Sequence, residues 1–313
     1  MQSNKNRNKN KLQLSGALDE IAGALQQSYE DGIGVNPDND ESFPRRDEVI
    51  DVTEKLLELV FPGFDRASCG APSTEALLRE VYDKLVDQIC RVMRSNDRTI
   101  VCDCSRGCRC KDSDHCSNAA LTLLKELPRL REITKKDVAA GYAGDPAATS
   151  FDEIVLSYPG LKAITVQRLA HVLYEQNIPL LPRMMTEFVH AQTGIDIHPG
   201  AKLGEGIFID HGTGVVIGET AVLGDNIRIY QGVTLGAGNF PKDACGMLIK
   251  GLKRHPTIGN NVTIYSGASV LGDVSIGDNS VIGGNVWLTE SLPAGTKITA
   301  PVPENRLRFA EKK

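Results

Sequence analysis

Aliphatic residues recur at every sixth position through most of the last third of this chain, and glycine often follows them. The repeat comprises Ile197, Leu203, Ile209, Ile217, Leu223, Ile229, Leu235, Ile258, Ile264, Val270, Ile276, Ile282 and Leu288. A short period of this kind is typical of a parallel β-helix, in which each repeat forms one flat face and its aliphatic residue points into a shared core. Antiparallel strands would alternate with a period of two instead.

The repeat is interrupted twice, and each interruption contains a histidine. The first lengthens one step to eight residues and holds Asp210 and His211. The second lengthens a step to twenty-three residues, with an inserted loop over 237–256 that holds Arg254 and His255. Packing of a solenoid requires neither interruption, so we expect both to serve the chemistry of the protein.

Residues before the repeat show the three- and four-residue apolar spacing of helices. Predicted helices cover 13–31, 48–61, 74–94, 117–133, a segment opening near 151, 160–176 and 182–193. Ser150 and Glu153 have the spacing of a capping box, which predicts the helix start near residue 151.

The composition changes at Thr193-Gly194, where helix-forming residues give way to Ile, Val, Gly, Asp and Asn. The predicted fold class is α+β: an α-helical domain followed by a parallel β-helix. The predicted segments are a disordered tail over 1–12, the helical domain over 13–193, the β-helix over 194–300 and a C-terminal tail over 301–313.

Composition narrows the class of protein. The chain has 313 residues, of which 41% are hydrophobic and 24% charged, as in an ordinary globular protein with room for two domains. A formal net charge of -5 argues against nucleic-acid binding, because phosphate-reading surfaces are usually basic. No apolar run approaches the roughly 18 residues that span a bilayer, and the polar start lacks the apolar core of a secretory signal. We therefore expect a cytoplasmic protein that binds neither nucleic acid nor membrane.

Five of the eight cysteines crowd into residues 102–116, beside His115. They are Cys102, Cys104, Cys108, Cys110 and Cys116. Thiolates are soft metal ligands and four suffice for zinc or an iron-sulfur cluster, but the spacing matches none of the common zinc signatures. A bound metal, a redox-responsive set of thiols and unliganded cysteines all remain open.

Several sequence strings resemble those of one family, the serine O-acetyltransferases, within the hexapeptide-repeat acyltransferases. The strings are Asp196-Ile-His-Pro, Ile209-Asp-His-Gly-Thr-Gly, Gly218-Glu-Thr-Ala-Val, Gly232-Val-Thr-Leu-Gly, Arg254-His-Pro and, upstream, Gly144-Asp-Pro-Ala. The resemblance implies that the β-helix is left-handed. The long loop resembles a second branch of the family, with Gly-Leu-Lys-Arg-His-Pro at the end of the loop.

The resemblance also implies the reaction, a direct transfer of acetyl from acetyl-CoA to the hydroxyl of L-serine for cysteine biosynthesis. His211 is our candidate for the general base, because histidine can accept a hydroxyl proton near neutral pH, an effect worth about 10² to 10⁴ in rate. By resemblance, Asp196 orients His211. We expect His255 to contact the substrate or to share in proton handling.

The same resemblance assigns the substrate contacts. Asp145 and Asp210 would hold the amino group of serine, although both aspartates are also suited to a turn. Arg254 would hold the serine carboxylate, which a planar guanidinium binds in a bidentate manner. Acetyl-CoA would lie in a groove between subunits, with Gly236, Tyr265, Ser266 and Gly284 as its candidate contacts.

Three other functions are compatible with the same fold. The same fold can acetylate a sugar or another hydroxyl, can serve as a non-enzymatic trimeric scaffold, or can carry a zinc site, whose spacing His198, His211 and His255 do not match.

The fold implies a homo-oligomer, a trimer or a dimer of trimers. Docking into O-acetylserine sulfhydrylase is not expected, since this sequence ends in lysine where docking relatives end in isoleucine.

Overall fold

The computed structural model describes residues 2–30, 43–64, 72–96, 113–239, 241–243, 245–249 and 251–301. The chain divides into two compact units, residues 1–43 and 44–313. The helices are α1 (Gln2–Glu30), α2 (Arg46–Val60), α3 (Thr74–Asn96), α4 (Ser113–Gly144), α5 (Phe151–Ser157), α6 (Pro159–Glu175) and α7 (Leu181–Thr193). Among these described helices, none is long and apolar enough to cross a membrane.

Helix α1, in the first unit, differs from the sequence prediction at its start. It begins at Gln2, inside the segment predicted to be a disordered tail. No glycine or proline occurs between residues 2 and 15, so the sequence contains no residue there that would break a helix. Its apolar residues Leu14, Leu18, Ile21 and Leu25 are exposed.

The remaining helices begin and end close to the predicted positions, and their caps explain why. The Glu153 N–H donates to the Ser150 hydroxyl over 3.1 Å, which confirms the capping role of Ser150 at the start of α5. The Glu153 carboxylate in turn accepts from the Thr149 N–H over 2.7 Å. Helix α7 ends where Gly194 adopts a left-handed conformation (φ 70°) and donates its N–H to the His190 carbonyl. Helix α4 continues to Gly144, beyond its predicted end.

Short strands follow α7 and coil around one axis. They are β1 (Asp196–Ile197), β2 (Lys202–Leu203), β3 (Phe208–Ile209), β4 (Val216–Ile217), β5 (Val222–Leu223), β6 (Arg228–Ile229), β7 (Thr234–Gly236), β8 (Thr257–Ile258), β9 (Thr263–Ile264), β10 (Ser269–Leu271), β11 (Ser275–Ile276), β12 (Val281–Ile282), β13 (Trp287–Leu288) and β14 (Lys297–Ile298). The first sheet contains β1, β4, β7, β10 and β13, the second β2, β5, β8 and β11, and the third β3, β6, β9, β12 and β14. All paired strands within these sheets are parallel, which confirms the predicted β-helix.

The aliphatic repeat forms the core of the β-helix. All of its members are buried except Leu203, which is partly buried and packs against the same core. Burial of each such side chain contributes about 1.5 to 3 kcal/mol. At one corner Asn226, Asn261 and Asn279 adopt left-handed backbone conformations, and their side-chain amides hydrogen-bond from coil to coil. Asparagine suits these turns because it tolerates positive φ.

A buried ion pair joins the helices to the first coil of the β-helix. Arg168 in α6 donates to both carboxylate oxygens of Asp137 in α4, each over 3.1 Å. The same guanidinium donates to the carbonyl oxygens of Leu203 and Gly204, and Asp137 accepts from the Ile207 N–H over 2.8 Å. Because each charge is hydrogen-bonded to the β-helix backbone as well as to its partner, the pair fixes α4 and α6 against that coil.

We predict that Arg168→Leu lowers the free energy of unfolding by about 3 to 5 kcal/mol, because it leaves the buried Asp137 carboxylate without its cation. The matched control is Arg129→Leu on α4, which removes an exposed ion pair with Glu126 and should change stability by less than about 0.5 kcal/mol. Urea-induced unfolding measures both variants. Equal, small effects would contradict a supporting role for the pair.

Candidate active site

The first interruption of the repeat is a two-residue bulge at a corner of the β-helix. Asp210 and Tyr230 each make the same backbone hydrogen bond to the coil that follows, and so do Thr213 and Gln231. Asp210 is therefore aligned with Tyr230, and Thr213 with Gln231. The intervening His211-Gly212 segment therefore has no counterpart in the coil that follows. We call this turn between the third and first sheets, carrying Asp210 and His211, the His211 corner.

The bulge presents the imidazole of His211 to solvent. Its backbone has φ 58°, a left-handed conformation that costs a non-glycine residue roughly 1 to 2 kcal/mol. The side chain is 69% exposed, and its Nδ1 lies 3.5 Å from Oδ1 of Asp210. Gly212 follows at φ 84°, and a Cβ there would meet the Ile195 side chain at 2.4 Å. The strained turn thus holds an accessible histidine beside a carboxylate.

Asp145 belongs to the same corner. It follows the last residue of α4 and accepts from the Tyr158 hydroxyl over 2.5 Å and from the Ala147 N–H over 2.8 Å. These hydrogen bonds, with a smaller contribution from His211, lower the pKa of Asp145, so its carboxylate is ionised at neutral pH. The turn contact to Ala147 and a role toward substrate are compatible, because an ionised carboxylate has about four acceptor sites.

The second interruption ends at another corner, which joins the first sheet to the second. Arg254 is stacked one coil beyond Glu219 and donates to its Oε2 over 2.5 Å. The Tyr174 hydroxyl donates to the other oxygen, Oε1, over 2.9 Å. Burial opposes ionisation of Glu219, but these two hydrogen bonds outweigh it and lower the pKa of Glu219. We call this turn, with Glu219 and Arg254, the Arg254 corner.

His255 is buried at the Arg254 corner and is held by Thr220. Its Nδ1 accepts from the Thr220 N–H over 3.0 Å, so the proton of the neutral ring lies on Nε2. The Thr220 hydroxyl also accepts from the backbone N–H groups of Arg254 and His255. Burial, followed by the Arg254 cation, lowers the pKa of His255 to about 4. A neutral His255 offers an N–H donor to a ligand at physiological pH.

Asp196 lies in β1 on the first sheet, with its carboxylate 3.6 Å from the guanidinium of Arg183 in α7. Among the described contacts within one chain, Asp196 makes no ion pair or hydrogen bond with His211. The expected orienting role of Asp196 therefore stays a prediction.

The two corners lie at opposite ends of α6. Tyr158, at its N-cap, contacts Asp145, whereas Tyr174, in its last turn, contacts Glu219. Sixteen helical steps separate these tyrosines, which places their Cα atoms about 24 Å apart. Among the described residues, no hydrogen bond or ion pair joins Arg254 to Asp145 or Asp210. Within one chain, the structure thus brings the amine-binding candidates together but does not bring Arg254 to them.

The four candidate contacts of acetyl-CoA are divided in the same way. Gly236 ends β7 on the way to the Arg254 corner, whereas Tyr265, Ser266 and Gly284 lie in turns stacked beyond His211. Tyr265 is stacked on Tyr230 with ring centroids 5.2 Å apart. Beside the Arg254 corner, a cavity of about 470 Å³ lies between the long loop and the later coils. Lys253, Arg254, Leu271 and Gly272 are among its lining residues.

Most of the cysteine cluster lies outside the described residues. Cys102, Cys104, Cys108 and Cys110 are among the residues not described, whereas Cys116 is buried within α4. The structure therefore gives no geometry for a metal at this cluster.

Comparison with known proteins first gives the class. Residues 255–290 match the family model described as "Bacterial transferase hexapeptide (six repeats)". This segment runs from His255 through the last coils, where the repeat is most regular. The coiled parallel strands and this match define a hexapeptide-repeat transferase, whose β-helix is left-handed.

Full-length relatives give the family. A protein of Synechococcus elongatus named "Serine acetyltransferase, plasmid" is 42% identical over 293 residues, 92% of each chain. The structure of Entamoeba histolytica serine acetyltransferase 1 in complex with L-cysteine is similar with a TM-score of 0.68 and 36% identity, over 82% of this chain and 86% of that one. Soybean serine acetyltransferase complexed with serine has a TM-score of 0.52 and 28% identity, over 82% and 98%. This chain belongs to the serine acetyltransferase family.

The sequence assigned no role to Tyr158 or Tyr174, and Glu219 and Thr220 occurred only within a matched string. The contacts of Tyr174, Glu219 and Thr220 join residues 35 or 45 positions apart, so no local sequence pattern predicts them. The repeat does relate Tyr230 to Tyr265, because each directly follows an aliphatic residue of the repeat.

We predict that Gly218→Ala lowers kcat/KM by roughly 10²-fold, the loss expected from a misplacement of about 1 Å in an active site. A Cβ at Gly218 would meet Cδ2 and Nε2 of His255 at 2.1 Å, so the ring must move. The control is Gly23→Ala in α1, where a Cβ would meet nothing within 4 Å. Steady-state release of CoA measures both. Wild-type kinetics for Gly218→Ala would show that the position of His255 is unimportant.

Proposed function

We propose that this protein is a serine O-acetyltransferase that transfers acetyl from acetyl-CoA to the hydroxyl of L-serine. One observation carries the proposal: accessible carboxylates beside a histidine lie at one corner of the β-helix, and an arginine beside a histidine lies at another. The first set suits a cationic amine and a hydroxyl, and the second suits a carboxylate. Together they match the charged groups of an amino acid.

A complete site requires two copies of the chain, because within one copy the two corners lie at opposite ends of α6 and no contact joins Arg254 to Asp145 or Asp210 among the described residues. The His211 corner of one subunit would face the Arg254 corner of the next. Such a head-to-tail contact between different surfaces closes into a ring, and a triangular prism favours a ring of three. We therefore propose a trimer as the active assembly, with the pairing of two trimers as a further possibility.

In the proposed reaction, Asp145 and Asp210 bind the ammonium group of serine and Arg254 binds its carboxylate. His211 takes the proton from the hydroxyl as its oxygen attacks the thioester carbon. The resulting tetrahedral intermediate collapses when the carbon–sulfur bond breaks, and the imidazolium returns the proton to the CoA sulfur. The products are O-acetyl-L-serine and CoA. Neutral His255 would donate from Nε2 to an oxygen of the substrate.

Two further assignments complete the proposal. Asp196 would orient His211 and stabilise its cationic form, a role that a carboxylate serves for a histidine base in hydrolases. Acetyl-CoA would lie between subunits, with Gly236 on one side and Tyr265, Ser266 and Gly284 on the other. The cavity beside Arg254 supports this location, because Lys253 in its lining adds positive charge for phosphates.

A cytoplasmic location stays a prediction, docking to O-acetylserine sulfhydrylase stays doubtful, and the cysteine cluster keeps its three interpretations: a bound metal, redox-responsive thiols or unliganded cysteines. The C-terminal residues that bear on docking lie outside the described part of the chain. The exposed Cys245 thiol is compatible with a reducing compartment. A sugar acceptor is less consistent with the site, because a sugar offers Arg254 no carboxylate.

The test is a steady-state assay of CoA release with acetyl-CoA and a panel of hydroxyl acceptors, run on the wild type, His211→Ala and Arg254→Lys. We expect L-serine to be preferred over sugars, and His211→Ala to lower kcat by about 10² to 10⁴. Arg254→Lys should impair acetylation of serine far more than any residual acetylation of a sugar. The proposal fails if serine is no better than a sugar, or if His211→Ala keeps its rate.

A further inference from the structure

We propose that Tyr158 and Tyr174, at the two ends of α6, position the groups that recognise the amino group and the carboxylate of the substrate. This inference rests on the proposed function. It assigns specificity for a free amino acid to one helix, which holds an amine-recognition group at one end and a carboxylate-recognition group at the other. Neither tyrosine contacts the reacting atoms in this account, so both are positioning residues.

At the start of α6, Tyr158 leaves Asp145 ready to bind a cation. The hydroxyl donates to Oδ2 over 2.5 Å while the Ala147 N–H donates to Oδ1 over 2.8 Å. Each carboxylate oxygen retains a lone pair for an ammonium group. The Tyr158 ring is itself fixed by stacking on Phe208, with centroids 6.4 Å apart. Without the Tyr158 hydroxyl, the Asp145 carboxylate would keep only its turn hydrogen bond from the Ala147 N–H.

At the end of α6, Tyr174 acts on Arg254 through Glu219. The hydroxyl donates to Oε1 of Glu219, and Oε2 accepts from Nη2 of Arg254. The ring of Tyr174 lies edge-on to His198, with centroids 5.8 Å apart. A guanidinium has five N–H donors, so a single contact to Glu219 orients it and leaves others for a substrate carboxylate. Loss of the Tyr174 hydroxyl would free Glu219 to rotate, and Arg254 with it.

Helix α6 gives the two tyrosines a fixed relation to the β-helix. It contacts both β1 and β3, and Arg168 within it joins the ion pair to the first coil. Both hydroxyls donate to carboxylates of the two corners. Because the corners belong to different sites in the assembly, each site would receive Tyr158 from one subunit and Tyr174 from the next.

The test compares Tyr158→Phe and Tyr174→Phe with Tyr82→Phe, a control on α3 that packs against the helical core. The KM of L-serine should rise about tenfold in both site variants, the loss expected for a hydrogen bond to a charged group, with kcat and the KM of acetyl-CoA little changed. Two competitive inhibitors separate the ends of the substrate. Tyr158→Phe should weaken L-serinamide, which keeps the amine, and spare 3-hydroxypropionate, which lacks it; Tyr174→Phe should do the reverse.

A double-mutant cycle guards against a general loss of structure. Once Asp145→Asn has removed the carboxylate, adding Tyr158→Phe should raise the KM of serine by less than about twofold. Unchanged serine kinetics in both tyrosine variants, or equal weakening of both inhibitors by each variant, would overturn the inference. If the wild type does not acetylate serine at all, the proposed function fails instead, so the two failures are distinguishable.

Discussion

Burial of one aliphatic side chain per repeat is the constraint on which the structure depends. All of this set is buried among neighbouring coils except Leu203, which is partly buried, so the path of the chain around the axis is fixed. Any residue added to a repeat must leave the coil at a corner, because neither the faces nor the core can accept it. The two departures from the period therefore become outward-facing segments on a rigid support. A rigid support is what a catalytic site needs, since side chains must stay within a fraction of an ångström of their working positions.

The helical part is connected both to the β-helix and to the candidate site. Through Asp137 and Arg168 it is fixed to the first coil, and through α6 it reaches both corners. Site geometry and fold stability are thus linked: a change that loosens α6 would disturb the recognition of both ends of the substrate. The bulge at His211 adds a small local strain, which the backbone hydrogen bonds between the surrounding coils can hold.

The sequence was sufficient for the β-helix, and it singled out candidate site residues, because both leave local signals. The repeat located the strands, and its interruptions located His211 and Arg254. Resemblance supplied Asp145 and Asp196, which lie outside the interruptions. The contacts made by Tyr158 and Tyr174 left no such signal, since they depend on how α6 lies across the first coils. The resemblance placed the acetyl-CoA groove between subunits, but a repeat pattern does not say which corner of the β-helix each turn occupies.

The central claim is that each active site joins the His211 corner of one subunit to the Arg254 corner of another. Co-expression of His211→Ala and Arg254→Ala under separate affinity tags, at equal levels, tests it most directly. Each site then has one chance in two of an intact His211 and one in two of an intact Arg254, so the randomly mixed assembly should recover about one quarter of wild-type activity. Each variant alone should be nearly inactive. If mixed assemblies form but stay as inactive as the single variants, both residues act within one chain and the account is wrong.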